Sequence, residues 1–212
     1  VGVITLFHSP MACSLASRMA LAESGLEHEV RLVRIARGET RTPDFLAVNP
    51  AGKVPTLLVD GEAVTESAAI LPLIADLSAA DLFPRSGAVT RAKGRALLSF
   101  ISTAVHGAWT PTLFPERFGD EASAEAVREA AMRRLGEALV LLERRLGDDE
   151  YLLGRFSVCD LYLAVFLLWR SAPAAQGRLP ETRKLDALLG RVLARPAIGP
   201  LVADDLAQRQ LA

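Results

Sequence analysis

Cys13 follows Pro10 by three residues, in Pro10-Met11-Ala12-Cys13-Ser14, between an apolar run and the first helical pattern of the chain. In the first turn of a helix, the dipole and free N–H groups stabilise a thiolate and lower its pKa. The sulfur is then a nucleophile, and the same seat suits a thiolate brought in by a substrate. Ser9 and Ser14 flank it, and either hydroxyl can donate a hydrogen bond to such a thiolate. His8, just before this loop, can support proton transfer near neutral pH. His106 lies on a helical stretch, Leu97–Ala108, and His28 lies past a helix end. Ala16 stands where a dithiol motif would put a second cysteine. A thioredoxin-type dithiol cycle at this motif is therefore not expected, while exchange with an external thiol needs only one protein thiolate.

A second group of residues points to ligand binding. Asn49-Pro50-Ala51-Gly52-Lys53-Val54-Pro55-Thr56-Leu57 leads to Thr65-Glu66-Ser67-Ala68-Ala69-Ile70. Pro55 removes a ladder donor, so it belongs at the mouth of a strand or on a turn. A cis Val54-Pro55 bond would turn backbone groups of Val54 outward; cis is rare even before proline, and the sequence alone favours trans. Ser67 suits an N-cap, and the free N–H groups of a helix start favour a carboxylate ligand.

These groups need elements to hold them. Val1–Phe7 reads as a buried strand, and Ala12–Ser24 as a helix ended by Gly25. Glu29–Ile35, apolar on both faces, suits an interior strand. Val54–Val59 and Glu62–Thr65 flank Asp60-Gly61, a strong hairpin signal, and Ser67–Leu77 is a helix. Pro72 falls inside that helix and should kink it. Strands then cease. Residues 79–88 read as a linker, and the remainder of the chain is helical: Val127, Ala131, Leu135, Ala138, Leu142 and Leu146 make an apolar stripe. Ser157 to Asp160 is a capping-box start for the apolar helix through Arg170, and Lys184–Ala194 is another helix, closed by Pro196. Mixed α/β followed by all-α predicts two domains, 1–80 and 89–212, joined by 81–88.

The 212 residues are 50% hydrophobic and 23% charged, with a net charge of −1. Six basic and ten acidic residues precede Leu82, and 18 and 15 follow. Neither part carries the field of a nucleic-acid binder. Two cysteines make no disulfide framework, and no His/Cys/Asp spacing suggests a metal. The longest apolar run, Leu161–Trp169, has about half the ~20 residues of a membrane span. A cytoplasmic protein, with neither membrane nor nucleic acid as partner, is the expectation. Trp109, Phe114, Phe118 and Trp169 either line an apolar pocket or belong to core and interface.

The NPxGxVPxL and Glu-Ser pair resembles the glutathione transferase family, with its thioredoxin-like N-terminal domain and all-α C-terminal domain. Pro10-Met11-Ala12-Cys13-Ser14, Phe156-Ser157-Val158-Cys159-Asp160 and Arg195-Pro196 extend the likeness over nearly the whole chain. Cys13 and His106 are most similar to the bacterial beta-class branch. The resemblance implies a homodimeric enzyme, with glutathione as cosubstrate and no metal, that conjugates the glutathione thiolate to small hydrophobic electrophiles. Disulfide exchange through Cys13 is a possible added activity, and a non-catalytic ligand-binding or protein-interaction module is the alternative. Cys13, His106, Ser14 and His8 are then the catalytic candidates. Glu66 and Ser67 would hold the γ-glutamyl group, Val54 before Pro55 the cysteinyl backbone, and Arg37 the glycyl carboxylate. Ser99, also counted with the glutathione site, and Gly107 stand where the beta class tends to carry asparagine and a basic residue. His8 stands where it usually has tyrosine.

Overall fold

The computed structural model describes residues 2–210. Its sheet is built on β1 (Ile4–His8), buried at every position. Side chains alternate across a strand. Ile4 and Leu6 therefore enter the main core, while Phe7 packs on the opposite face against Phe45, ring centroids 5.5 Å apart. The strand order is β2-β1-β3-β4. β2 (Glu29–Leu32) runs parallel to β1, and β3 (Thr56–Val59) antiparallel to both β1 and β4 (Glu62–Thr65). Asp60 and Gly61 both have positive φ, 54° and 86°, as a two-residue hairpin requires.

β2 corrects an expectation. It is an edge strand, exposed at three of its four residues, not an interior one. Its apolar content serves other ends: Val33, just past the strand, joins Phe7, Phe45 and Val54 in a second small core.

On the main-core face lie α1 (Leu15–Ser24), ended by Gly25 at φ 69°, and α3 (Ser67–Leu77). α2 (Pro43–Val48) carries Phe45 to the other face. α3 continues through the buried Pro72 to Leu77, although proline supplies no N–H to the Ala68 carbonyl. The helical region then runs α4 (Ala88–Phe100), a π-helical turn (Ile101–His106), α5 (Gly107–Leu113), α6 (Ala124–Leu146), α7 (Val158–Leu168), α8 (Arg183–Leu193) and α9 (Gly199–Gln210). α7 is apolar all round and buried along almost its whole length, as the axis of the helical core. Its start is a capping box: Ser157 and Asp160 satisfy each other's orphan N–H groups, and Asp160 also takes the Leu152 N–H. A cap of this kind is worth about 1 kcal/mol. One continuous core joins β1, α1 and α3 to α4 through α8.

α9 lies in the stretch read from sequence only as part of the helical remainder, without bounds. Pro200 occupies its first turn, where its missing N–H has no partner to lose.

Candidate functional site

Cys13 sits in the turn just before α1, whose first helical residue is Leu15. Its thiol is partly buried and donates to the Val54 carbonyl at 3.3 Å. The backbone N–H groups of Cys13 and Ser14 face the sulfur and favour a thiolate, but burial outweighs them and pushes the pKa up to about 12. This direction is opposite to the lowered pKa expected of a helix start: the partly buried sulfur lies before the helix, and desolvation of a charge is the larger effect.

The loop around it is gripped from both sides by the helical region. Met11 has φ 57°, a left-handed conformation uncommon for a bulky residue. Its N–H donates to Asp205 Oδ2 of α9 at 2.6 Å, and its carbonyl accepts from Trp169 Nε1 at 2.8 Å. Asp205 is fully buried. Its Oδ1 also meets His8 Nε2 at 2.7 Å and the Arg18 guanidinium. Burial alone would raise the carboxyl pKa; His8, the Met11 N–H and Arg18 together hold it below the usual range.

This network extends to His8 and Ser14. Both are fully buried. His8 Nδ1 lies 2.9 Å from Ser14 Oγ, which also accepts the Ser9 N–H at 3.1 Å. The Ser14 hydroxyl is thus held by His8 and Ser9 inside the protein, not offered to a substrate sulfur. Ser9 Oγ accepts the Ile35 N–H.

The Val54-Pro55 bond is cis. Asn49 sets the loop before it: Nδ2 donates to the Lys53 carbonyl and the Thr56 hydroxyl, and Oδ1 accepts the Ala51 N–H. Gly52 is required there, at φ 62°, since a Cβ would stand 2.9 Å from the Thr40 carbonyl. Glu66, exposed and at φ 68°, precedes α3 and gives its carbonyl to Ala69 and Ile70. Ser67 is the first helical residue rather than the N-cap. A strained backbone at such a place marks a position held by its surroundings. The N–H groups of Ser67 and Ala68, first in α3, have no intrahelical acceptor. Glu66 acts electrostatically on Cys13, so this helix start and the cysteine share one locality.

His106 ends the π-helical turn, a feature found often at functional sites. Its ring lies 4.9 Å from Phe166 and 5.8 Å from Trp169. Burial, with a smaller contribution from Lys53, pushes its pKa down to about 4. The imidazole is therefore neutral at pH 7. A folded pKa below the unfolded 6.5 means that the unfolded chain binds the proton first as pH falls. The stability held above pH 6.5 is thus lost on descending toward pH 4. Proton-detected titration of His106 should give a midpoint near 4; a midpoint near 6.5 would contradict the packed, desolvated ring.

Tyr162, Ser102 and Lys53 were not singled out from sequence. Tyr162, buried on α7, lies in the neighbourhood of Ser102, Ser67 and Cys13. Lys53 acts on both Cys13 and His106. Cys13, Val54, Glu66, Ser67 and His106 therefore converge, whereas Ser99 does not: it is exposed on α4, where its carbonyl accepts the Thr103 hydroxyl. Arg37 is exposed in a 3-10 turn, Ile35–Arg37, after β2. Of the four aromatics, Trp109 is core, Phe114 and Phe118 are exposed, and Trp169 sets its ring edge-on to His106. Hollows of about 500 and 340 Å³ elsewhere are lined by none of Cys13, Ser67 and His106. The chemistry-bearing groups, not cavity volume, mark the site. Among the described residues no group of three or more His, Cys, Asp or Glu side chains could hold a metal, and no helix is long and apolar enough to cross a membrane.

Residues 10–77 match the family model of the glutathione S-transferase N-terminal domain. The chain is 32% identical over 197 residues to the glutathione S-transferase GstA of Escherichia coli O157:H7, covering 91% of this chain and 94% of that one. The beta-class glutathione S-transferase of Sphingomonas chungbukensis has a similar structure, with a TM-score of 0.80, 38% identity, and 95% and 98% of the two chains covered. A sphingomonad glutathione S-transferase complexed with glutathione gives 0.80 at 37% identity over the same shares.

Proposed function

The chain belongs to the glutathione transferase family, and on that premise we propose that it conjugates the thiolate of glutathione to small hydrophobic electrophiles. The observation that carries this reading is the convergence at Cys13 of an open helix start, Glu66-Ser67, and the strand-mouth backbone of Val54. The α3 N–H groups and the Ser67 hydroxyl suit the γ-glutamyl carboxylate, and the Glu66 carboxylate suits its ammonium. The cysteinyl part lies along Val54 as an added strand, and Arg37 takes the glycyl carboxylate. The Val54 carbonyl is engaged by the Cys13 thiol, so the arriving peptide displaces that thiol. The glutathione sulfur then meets the Cys13 and Ser14 N–H groups. Its S–H proton leaves to solvent, the thiolate attacks the electrophilic carbon, and the leaving group departs.

In this proposal residues 1–80 hold glutathione, and residues 89–212 face the electrophile through His106, Phe166 and Trp169. Neutral His106 serves by hydrogen bonding, not by charge. Ala69, Val89, Ala92 and Ala96, exposed on α3 and α4, form the face of a homodimer, and a cytoplasmic location belongs to the same reading.

Disulfide exchange through Cys13 is the weaker activity. Its step is attack of the Cys13 thiolate on one sulfur of oxidised glutathione, releasing the other half as a thiolate. A thiol pKa near 12 leaves little thiolate at pH 7. Cys13→Ala should keep conjugation to an activated aryl halide within about threefold, because the N–H groups around the sulfur are backbone. Wild-type Cys13 should alkylate at least about a hundredfold more slowly than free cysteine, in line with its smaller thiolate fraction. Loss of conjugation in the variant, or fast alkylation of the wild type, would show that Cys13 is the nucleophile.

A further inference from the structure

Trp169 follows α7 and serves two neighbours. Its indole N–H donates to the Met11 carbonyl at 2.8 Å. Its half-buried ring stands edge-on to His106, centroids 5.8 Å apart, and to Phe166 at 5.1 Å. Trp109, on α5, meets the same ring edge-on at 5.9 Å, but it is fully buried and its own indole N–H has no partner among the described residues. Two indoles thus share one aromatic cluster, and only Trp169 is bonded to the loop that carries Cys13. That bond falls on a strained point. Met11 is bulky and buried yet holds φ 57°, a conformation that persists only when its surroundings insist on it. The peptide plane after it is held at both ends: the Met11 carbonyl by Trp169, and the Ala12 N–H by the Ser9 carbonyl at 3.0 Å.

We infer that Trp169 is a positioning residue for the sulfur seat: by fixing the Met11–Ala12 peptide plane it aims the Cys13 and Ser14 N–H groups that follow. The inference rests on the proposed delivery of the glutathione sulfur to those N–H groups. A peptide group is planar, so holding its carbonyl also sets the direction in which the chain leaves it. Donors that stabilise a thiolate do so only when they are aimed before the charge appears. Trp169 acts through Met11 and need not touch the sulfur. Because its ring also packs against His106, one side chain of the helical region sets both the sulfur seat and the wall that faces the electrophile.

Paired substitutions test this. Trp169→Phe and Trp109→Phe each reduce one indole of the same cluster to a phenyl ring, but only the first removes a hydrogen bond to the Cys13 loop. At mildly acidic pH, with saturating glutathione and an activated aryl halide, Trp169→Phe should lower kcat about fivefold, the effect of one hydrogen bond. The Kd for glutathione, by calorimetric titration, should stay within about twofold, because the γ-glutamyl seat at α3 is untouched. The kcat deficit should shrink as pH rises, since the thiolate then forms without help from the turn. A general loss of packing would instead lower kcat alike at every pH. Alkylation of Cys13 by iodoacetamide should quicken at least about threefold in Trp169→Phe, while Trp109→Phe leaves kcat and alkylation within about twofold of wild type. Trp169→His, which keeps a ring N–H, should recover part of the kcat loss. Equal effects of the two phenylalanine substitutions, or a deficit independent of pH, overturn the inference and leave the glutathione reading intact. Absence of glutathione binding by the wild type overturns the glutathione reading itself.

Discussion

Asp205→Ala should destabilise the protein by about 3–5 kcal/mol, the cost of removing one partner from a buried charge pair. The carboxylate is fully buried and serves the Met11 N–H, His8 and Arg18 at once. Alanine leaves a backbone donor, an imidazole and a guanidinium facing an empty volume. The neighbouring Asp204→Ala is the control. It also pairs with Arg18, but its side chain is 49% exposed, and a surface pair contributes about 0–1 kcal/mol. Denaturant unfolding of the two variants should separate them by at least about 2 kcal/mol; equal midpoints would mean that the buried network is inert.

The same change reaches the site. Met11 keeps its left-handed backbone because Asp205 holds its N–H and Trp169 holds its carbonyl. Such conformations cost about 1–3 kcal/mol and persist only when their surroundings insist on them. Without Asp205 the turn relaxes, and Cys13, two residues on, loses its fixed distance to Val54. Faster alkylation of Cys13 should therefore accompany the loss of stability. Since the depressed carboxyl pKa belongs to the folded state, the network's contribution is present above pH 3.8 and is lost as pH falls through the folded pKa.

Much of this fold is legible in the sequence, and the reasons are local. Asp60-Gly61 permits two successive positive φ angles, Gly25 ends α1, and Ser157 with Asp160 starts α7; each acts within four residues of itself. The edge position of β2 is not local. Val30 and Leu32 have the same types in an interior strand, and only the sheet order places them at its rim. α9 is legible only as part of a helical remainder, and the role of its Asp205 not at all, since that side chain touches residues 194 and 197 positions away. No spacing rule reaches that far. For the same reason His8 reads from its neighbourhood with Cys13, while its ring is also held by Asp205 at the other end of the chain.

The site divides in the same way. Glu66-Ser67 and Val54-Pro55 are legible because backbone chemistry at a helix start and a strand mouth is written in short motifs. The charge state of Cys13 is not, because it depends on how much water the helical region excludes. Tyr162 is one residue of a buried helix; only the packing of α7 against α3 and the π-helical turn brings it near the site.

The central claim is that the start of α3 seats the γ-glutamyl group of glutathione, and Glu66 is its charged member. Removing one charge-assisted hydrogen bond costs about 1.5–3 kcal/mol, or about ten- to a hundredfold in affinity. The measurement is calorimetric titration of wild type and Glu66→Ala with reduced glutathione. Binding by the wild type in the micromolar to millimolar range, weakened about ten- to a hundredfold in the variant, is the predicted result. Equal affinity of the two proteins, or no binding by either, would contradict it.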